Sequence, residues 1–311
     1  MSEQTKIAWA DSTWNPWRGC DKVSPGCKNC YITSTMPFRT TGQKHGDPRV
    51  LASEAIWKAP FKWNRQPWVC EACGKAWAIP GMHPDCDAEP YQMHRRRVFS
   101  LSLGDWLDPK VPIAWLARML DTIRQCDQID WLLVTKRPEL WSKRLREVLD
   151  WTWKTECPKR YAVDGRFQYW LSGWHCRNEI PKNVWIIASA ENQEMADKRV
   201  PELLRIPAVV RGLSCEPLLG LIDLSETKGY WGGIGLNWVI VGGESGKNAR
   251  PCNIHHIYSL RDQCQAAKVP VFIKQMGSNP VDDISRLYFA HTKGGDPSEW
   301  PADLRVQQFP K

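Results

Sequence analysis

One pattern recurs along the chain and constrains its fold more than any single motif. A short apolar, β-branched run is followed by a polar residue and then by a helix-like stretch. The apolar runs fall at residues 13–18, 98–103, 131–135, 184–189, 209–214, 238–241 and 271–274. Most are apolar throughout instead of alternating, which is the mark of parallel strands covered on both faces. Helix-like segments lie between them at 113–125, 138–149, 193–205 and 253–267, with Pro112 suited to start the first. Strand and helix in alternation mean an α/β fold with a parallel sheet. Six or seven such units in 311 residues predict one domain over 1–311, a full or partial parallel (βα) barrel.

In a parallel barrel the active site forms at the C-terminal ends of the strands. Here those ends carry Asp105, Lys136-Arg137, Glu191-Asn192, Cys215-Glu216, Glu244-Ser245 and Lys274-Gln275. A single charge there would be an ordinary loop residue, whereas the repetition predicts a shared pocket. Two stretches break the rhythm. Residues 62–97 are rich in Trp, Pro, Cys and His, and residues 150–181 hold four Trp with Cys157, His175 and Cys176. Both read as insertions on the loop face, where specificity usually resides.

Cys20, Cys27 and Cys30 are spaced C-x6-C-x2-C in a loop loosened by Gly19, Pro25 and Gly26. Three thiolates suit a 4Fe–4S cluster with one iron left open to a ligand. A closed zinc site wants a fourth donor, which only a distant residue could supply, and structural thiols are the plain alternative. A second constellation is Cys70, Cys73, His83 and Cys86, spaced C-x2-C-x9-H-x2-C with Gly74 after the first pair. It fits a structural zinc stabilising the 62–97 insertion, with His94 able to replace His83. A second iron–sulfur cluster and unliganded thiols remain alternatives.

The net charge of +8 favours an anionic partner such as nucleic acid, although only Arg95-Arg96-Arg97 forms a dense basic run. The 19 Trp suit either base stacking or core packing. No apolar run is long enough to span a membrane, and the polar start has no signal-peptide core. A cytoplasmic location is expected. There, 12 cysteines speak for metal and reactive thiols over disulfides.

The cysteine loop and several further blocks resemble the radical S-adenosylmethionine (SAM) enzymes, and more closely a divergent three-cysteine-motif family common in bacteriophages. The blocks are Trp9-Ala10-Asp11-Ser12-Thr13-Trp14-Asn15-Pro16, Val134-Thr135-Lys136-Arg137-Pro138, Ala190-Glu191-Asn192-Gln193, Ser214-Cys215-Glu216-Pro217, Val239 to Gly246, and Phe272-Ile273-Lys274-Gln275. The superfamily usually spaces its cysteines C-x3-C-x2-C, so the first gap here is longer. The resemblance implies a radical-SAM-type barrel whose cluster holds SAM and yields a 5′-deoxyadenosyl radical, with electrons from an external donor.

Under that resemblance Ser102, Asp105, Lys136, Glu191, Gly242, Gly243 and Glu244 are the expected cofactor contacts. Asp105 is the choice for the methionine amine, where the superfamily carries Gly-Gly-Glu. Cys215 and Glu216 are the catalytic candidates, Cys215 as a hydrogen donor or else a small packing residue. The implied substrate is DNA or a modified nucleotide. The most specific reading is isomerisation of a glycyl-thymidine-type hypermodified base, in the host cytoplasm if the chain is phage-encoded. The alternatives are a non-catalytic, metal-stabilised nucleic-acid- or partner-binding protein, and a repair lyase similar to spore photoproduct lyase.

Overall fold

The computed structural model describes residues 4–81, 92–154, 165–224 and 235–310. Seven strands form one parallel sheet in strict chain order. They are β1 (Ser12–Trp14), β2 (Arg97–Ser100), β3 (Asp130–Thr135), β4 (Val184–Ser189), β5 (Val210–Cys215), β6 (Trp238–Gly242) and β7 (Val271–Gln275). The first and last strands do not pair, so the sheet curls into an open half-barrel. The α/β class and the partial parallel barrel expected from the sequence are both present.

The longer helices are α1 (Glu54–Arg65), α2 (Ile113–Gln125), α3 (Trp141–Trp153), α4 (Gly165–Arg177), α5 (Gln193–Leu204) and α6 (Ile254–Ala267). In α2, Leu116, Ala117, Leu120 and Ile123 recur at helical spacing and all are buried. Asn192 caps α5 by accepting from the Met195 N–H at 3.1 Å, and Asn253 caps α6 in the same way through His255.

The two faces of the sheet follow the period of 2. Trp131, Leu133, Ile186, Ala188, Leu213, Cys215, Val239, Val241 and Ile273 join the helices in the larger core. Phe99, Leu132, Trp185, Ile187, Val210, Trp238, Ile240 and Phe272 point to the inner face, where Trp9 and Phe309 join them. The inner face therefore carries its aromatic residues at the N-terminal half of the strands. Further along the same face the residues become small and polar, with Ser189 and Ser214 preceding Glu191 and Glu216.

Both insertions sit elsewhere than the sequence suggests. Each occupies a connection from a helix to the next strand, which in a parallel fold reaches the N-terminal end of the sheet. The 62–97 segment forms a small antiparallel sheet from Trp68–Cys70, Ala76–Trp77 and Met93–Arg95, leading directly into β2. His94 from this sheet hydrogen-bonds the carboxylate of Asp11, next to the start of β1, at 3.0 Å. The 150–181 segment supplies α4, which packs beside α3 and buries Phe167, Leu171 and Trp174 completely. The loop-face expectation is thus corrected for both. No helix among the described residues is long and apolar enough to cross a membrane.

Candidate functional site

Residues 19–31 arch over the C-terminal ends of the strands, and three buried carboxylates hold them there. Asp105, after β2, accepts from Leu107 N (3.0 Å), Thr135 Oγ1 (2.8 Å), Lys136 N (2.9 Å) and Arg137 Nη1 (2.8 Å). Arg137 then reaches Cys20 Sγ at 3.8 Å and the carbonyl of Asp21 at 3.3 Å. Glu191, after β4, accepts from Gly26 N at 2.8 Å and from Arg199 Nη1 at 3.0 Å. Glu244, after β6, accepts from Asn29 Nδ2 at 3.0 Å and from Arg250, whose Nη1 donates to the carbonyl of Pro25 at 2.8 Å. Two shorter ties complete the arch, Gly19 N to Leu103 O at 3.0 Å and the Tyr31 hydroxyl to Ser102 O at 2.7 Å.

The electrostatics follow from this geometry. Burial would raise the Glu191 carboxyl, but hydrogen bonds from Ser24 and Gly26, with Lys136 and Arg199 nearby, hold it below the ordinary range. Glu244 is shifted the same way, with Arg250 and Asn29 outweighing burial. The thiols move in the opposite direction. Burial pushes Cys20 up to about 12 against the pull of Arg137, and Cys30 is raised by burial while Lys136 and Lys22 pull it down. Arg250 stands near Cys27. Each cysteine of the loop therefore has a cation beside it.

Among the described residues, no three His, Cys, Asp or Glu side chains converge on one metal position. Cys20 Sγ faces the Asp21 carbonyl at 3.3 Å, and Cys27 Sγ lies 3.9 Å from Ser24 Oγ. The donor set is three soft thiols in one pinned loop, the ligand type that iron–sulfur clusters use, and the Arg137 and Arg250 guanidinium groups beside Cys20 and Cys27 are each already paired with a carboxylate. In the insertion, the turn after Cys70 has Gly74 N donating to Cys70 O at 2.9 Å and Gly74 at φ +70°. His83 and Cys86 lie outside the described residues, as does Cys157. His94 is engaged by Asp11 and sits 3.5 Å from Glu71.

Several expected cofactor contacts have other work. Asp105 accepts four hydrogen bonds, which fills the capacity of a carboxylate, so it positions Arg137 and carries no lone pair for a methionine amine. Ser102 Oγ is paired with the side chain of Asn15 at 2.9 Å. A Cβ on Gly243 would lie 2.3 Å from the backbone oxygen of Met276, so that glycine exists for close chain packing. Cys215 points to the helix side, completely buried and near Cys264, which is the packing reading and not the hydrogen-donor one.

What remains uncommitted lies on the inner face. Lys274 Nζ pairs with Glu216 Oε1 at 2.7 Å, and Ser214 Oγ donates to Glu216 Oε2 at 3.3 Å. The two heads keep 24% and 14% of their side-chain exposure, so the pair is reachable. It links β5 to β7 across β6, where Gly242 makes way: a Cβ there would meet Glu216 Oε1 at 3.0 Å. The β6–β7 register also shifts at Val241/Gly242. Lys136 is half-buried, near Cys30 and Glu191, and makes no ion pair or side-chain hydrogen bond among the described residues. Residues 136, 191, 216, 242 and 274 all share the inner-face parity of their strands. That alternation was readable in the sequence and separates Glu216 from Cys215.

A family model described as "Protein of unknown function (DUF5131)" matches residues 4–296. The chain belongs to this family. The match spans all seven strands, the cysteine loop and both insertions, so family membership covers the whole site. No curated protein and no solved structure matches the chain.

Two sequence signals for nucleic acid turn out to be structural. Arg96 donates to Ser12 Oγ, Arg97 lies over the ring of Phe309, and Arg95 binds the carbonyls of Asp127 and Gln128. The basic run thus stitches the N-terminal end of the sheet. Among the described Trp residues only Trp153 is exposed, at 69%. The rest are core or partly buried, so aromatic abundance here reflects packing.

Proposed function

We propose that this chain is a radical SAM enzyme acting on nucleic acid or a modified base. The observation that carries the reading is the arch itself: three cysteines, each beside a cation, clamped over the mouth of a parallel half-barrel whose remaining polar groups face inward. Cys20, Cys27 and Cys30 would hold the 4Fe–4S cluster. When bound with SAM, that group supplies a 5′-deoxyadenosyl radical on one-electron reduction by an external donor. The protein's part is to orient and to exclude water. Asp105 with Arg137, Glu191 with Arg199, and Glu244 with Arg250 fix the loop. The aromatic inner face closes the floor of the site, leaving approach from the C-terminal rim.

The most specific substrate under this reading is a glycyl-thymidine-type base in DNA, isomerised at the modified carbon. The base would have to leave the duplex to reach the rim. Cys70, Cys73, His83 and Cys86 are proposed to bind a structural zinc at the opposite end of the barrel.

Anaerobic reconstitution tests both metals. The protein should turn brown and bind about four irons per chain, and reduction should release 5′-deoxyadenosine from SAM. Replacing Cys20, Cys27 and Cys30 by Ala should abolish iron and cleavage while about one zinc per chain stays. SAM cleavage by the triple variant would refute the cluster assignment. An iron-free wild type would leave a binding protein on a barrel scaffold.

A further inference from the structure

The charged groups at the strand ends divide into two sets. Asp105, Glu191 and Glu244 are paired with Arg137, Arg199 and Arg250, and Arg137, Glu191, Glu244 and Arg250 hold the cysteine loop directly. Among the described residues this leaves Glu216, Lys274 and Lys136 as inner-face charges with unused hydrogen-bonding capacity. Glu216 accepts from Lys274 and Ser214 only, and Lys274 spends one of its three N–H donors on Glu216. Glu216 also lies near Tyr31, the last residue of the cysteine loop, where after burial its charge helps to raise the Tyr31 hydroxyl. The uncommitted pair therefore sits beside the proposed centre of chemistry.

A preformed pair of opposite charges selects for a ligand with the same pairing. A phosphate taken up by Lys274 would leave Glu216 facing a second anion at short range. A neutral base would strip solvent from both heads and compensate neither. An α-amino-acid group, with ammonium and carboxylate on the same carbon, exchanges one internal ion pair for two external ones. No net charge is then buried.

We propose that Glu216 and Lys274 are specificity-determining residues that bind an α-amino-acid arm on the substrate. Glu216 takes the amine and Lys274 the carboxylate, with Lys136 as a second cation on the same face. This rests on the reading of the chain as a radical SAM enzyme of modified bases. The methionine of SAM carries the same chemistry, but under the proposed function its amine and carboxylate would be held by the cluster. The substrate arm is therefore the source assigned here.

The test uses reconstituted full-length protein and fluorescein-labelled oligonucleotides carrying either thymine with an N-linked glycine on its 5-methyl carbon or plain thymine, read by fluorescence anisotropy. Wild type should bind the glycyl oligonucleotide at least about tenfold more tightly. Glu216→Gln with Lys274→Met removes both charges together, so neither is left buried and unpaired. That double variant should bring the affinity ratio to about one while thermal unfolding confirms that it folds. Esterifying the glycyl carboxylate should erode the wild-type ratio in the same direction. The proposal fails if the double variant keeps the preference. It also fails if SAM affinity, measured separately, falls as far as glycyl affinity, because the pair would then serve the methionine. A wild type that cleaves SAM but shows no preference overturns this inference and spares the enzyme reading. A wild type that neither holds iron nor cleaves SAM overturns the enzyme reading itself.

Discussion

Replacing Asp105 by Asn separates the two roles this residue has been given. The carboxylate faces four donors, and the Asp105 and Arg137 side chains are each only 6% exposed. An Asn amide keeps one oxygen, enough for one pair of donors, and turns its NH2 toward the other. In either flip two donors lose their acceptor, and Arg137 loses its counter-charge. A buried donor left unsatisfied costs about 1–3 kcal/mol, and breaking a buried ion pair about 3–5 kcal/mol. Because these terms overlap, the expected loss is about 3–5 kcal/mol. With an unfolding entropy of about 2.1 cal/mol/K per residue, each kcal/mol moves Tm by roughly 1.5 °C for a chain of 311 residues, so the drop should be about 5–8 °C. Thermal unfolding of the metal-free protein measures it without any cofactor. If Asp105 instead held the SAM amine, Asp105→Asn would leave that melting curve nearly unchanged and weaken SAM binding in the reconstituted protein. That outcome would refute the assignment of Asp105 as a residue that positions the arch.

Two further perturbations probe the opposite end of the barrel. Trp174 is fully buried and donates to the carbonyl of Pro207 at 2.7 Å, so Trp174→Ala should cost about 3–5 kcal/mol. DNA affinity of the folded protein should not change, and lost DNA binding with an unchanged melting curve would return this segment to the substrate face. Asp130 is raised to about 6 by burial, against Arg95 and Arg97. The folded state then keeps this proton to higher pH than the unfolded chain, whose Asp titrates near about 4. Its contribution to stability should therefore fall as pH rises from about 4 to about 6 and stay level above. Asp130→Asn should be the more stable protein at pH 7, with the difference gone at the acid end of that window; chemical denaturation across the range reads it.

The sheet was legible because its strands are short apolar runs that only a parallel, doubly covered sheet explains, and β4 falls at the predicted residues. The α2 boundaries are also as predicted, set by Pro112 and the helical spacing of Leu116, Leu120 and Ile123. The α1 helix was missed because Pro60 lies inside it, where a proline normally ends a helix. The α4 helix was missed because its aromatic-rich sequence has no start signal and takes its order from packing on α3. The candidate site was legible as a set of strand ends but not as roles. Asp105, Glu191 and Glu216 are all carboxylates in the same kind of position. Only their partners show that two anchor the loop and one pairs with Lys274 on the inner face. The insertions were misplaced because composition resembles a binding loop whichever end of the barrel carries it. Their position between a helix and the following strand was the better guide.

The three carboxylate anchors of the arch come from three different strands, and this has a thermodynamic consequence for metal loading. Releasing residues 19–31 locally would break buried contacts to β2, β4 and β6 at once. The opening free energy of the loop therefore approaches that of the whole sheet, in contrast to the near-zero values typical of surface loops. The amides of Gly19 and Gly26, both bonded across to strand ends, should exchange slowly even without metal. If the three cysteines hold a metal as proposed, the tethered backbone of their loop is largely ordered before that metal binds. Affinity at such a socket varies with the donors and charges around it, almost independently of folding. It is the opposite regime from a zinc knuckle, in which metal and structure form together.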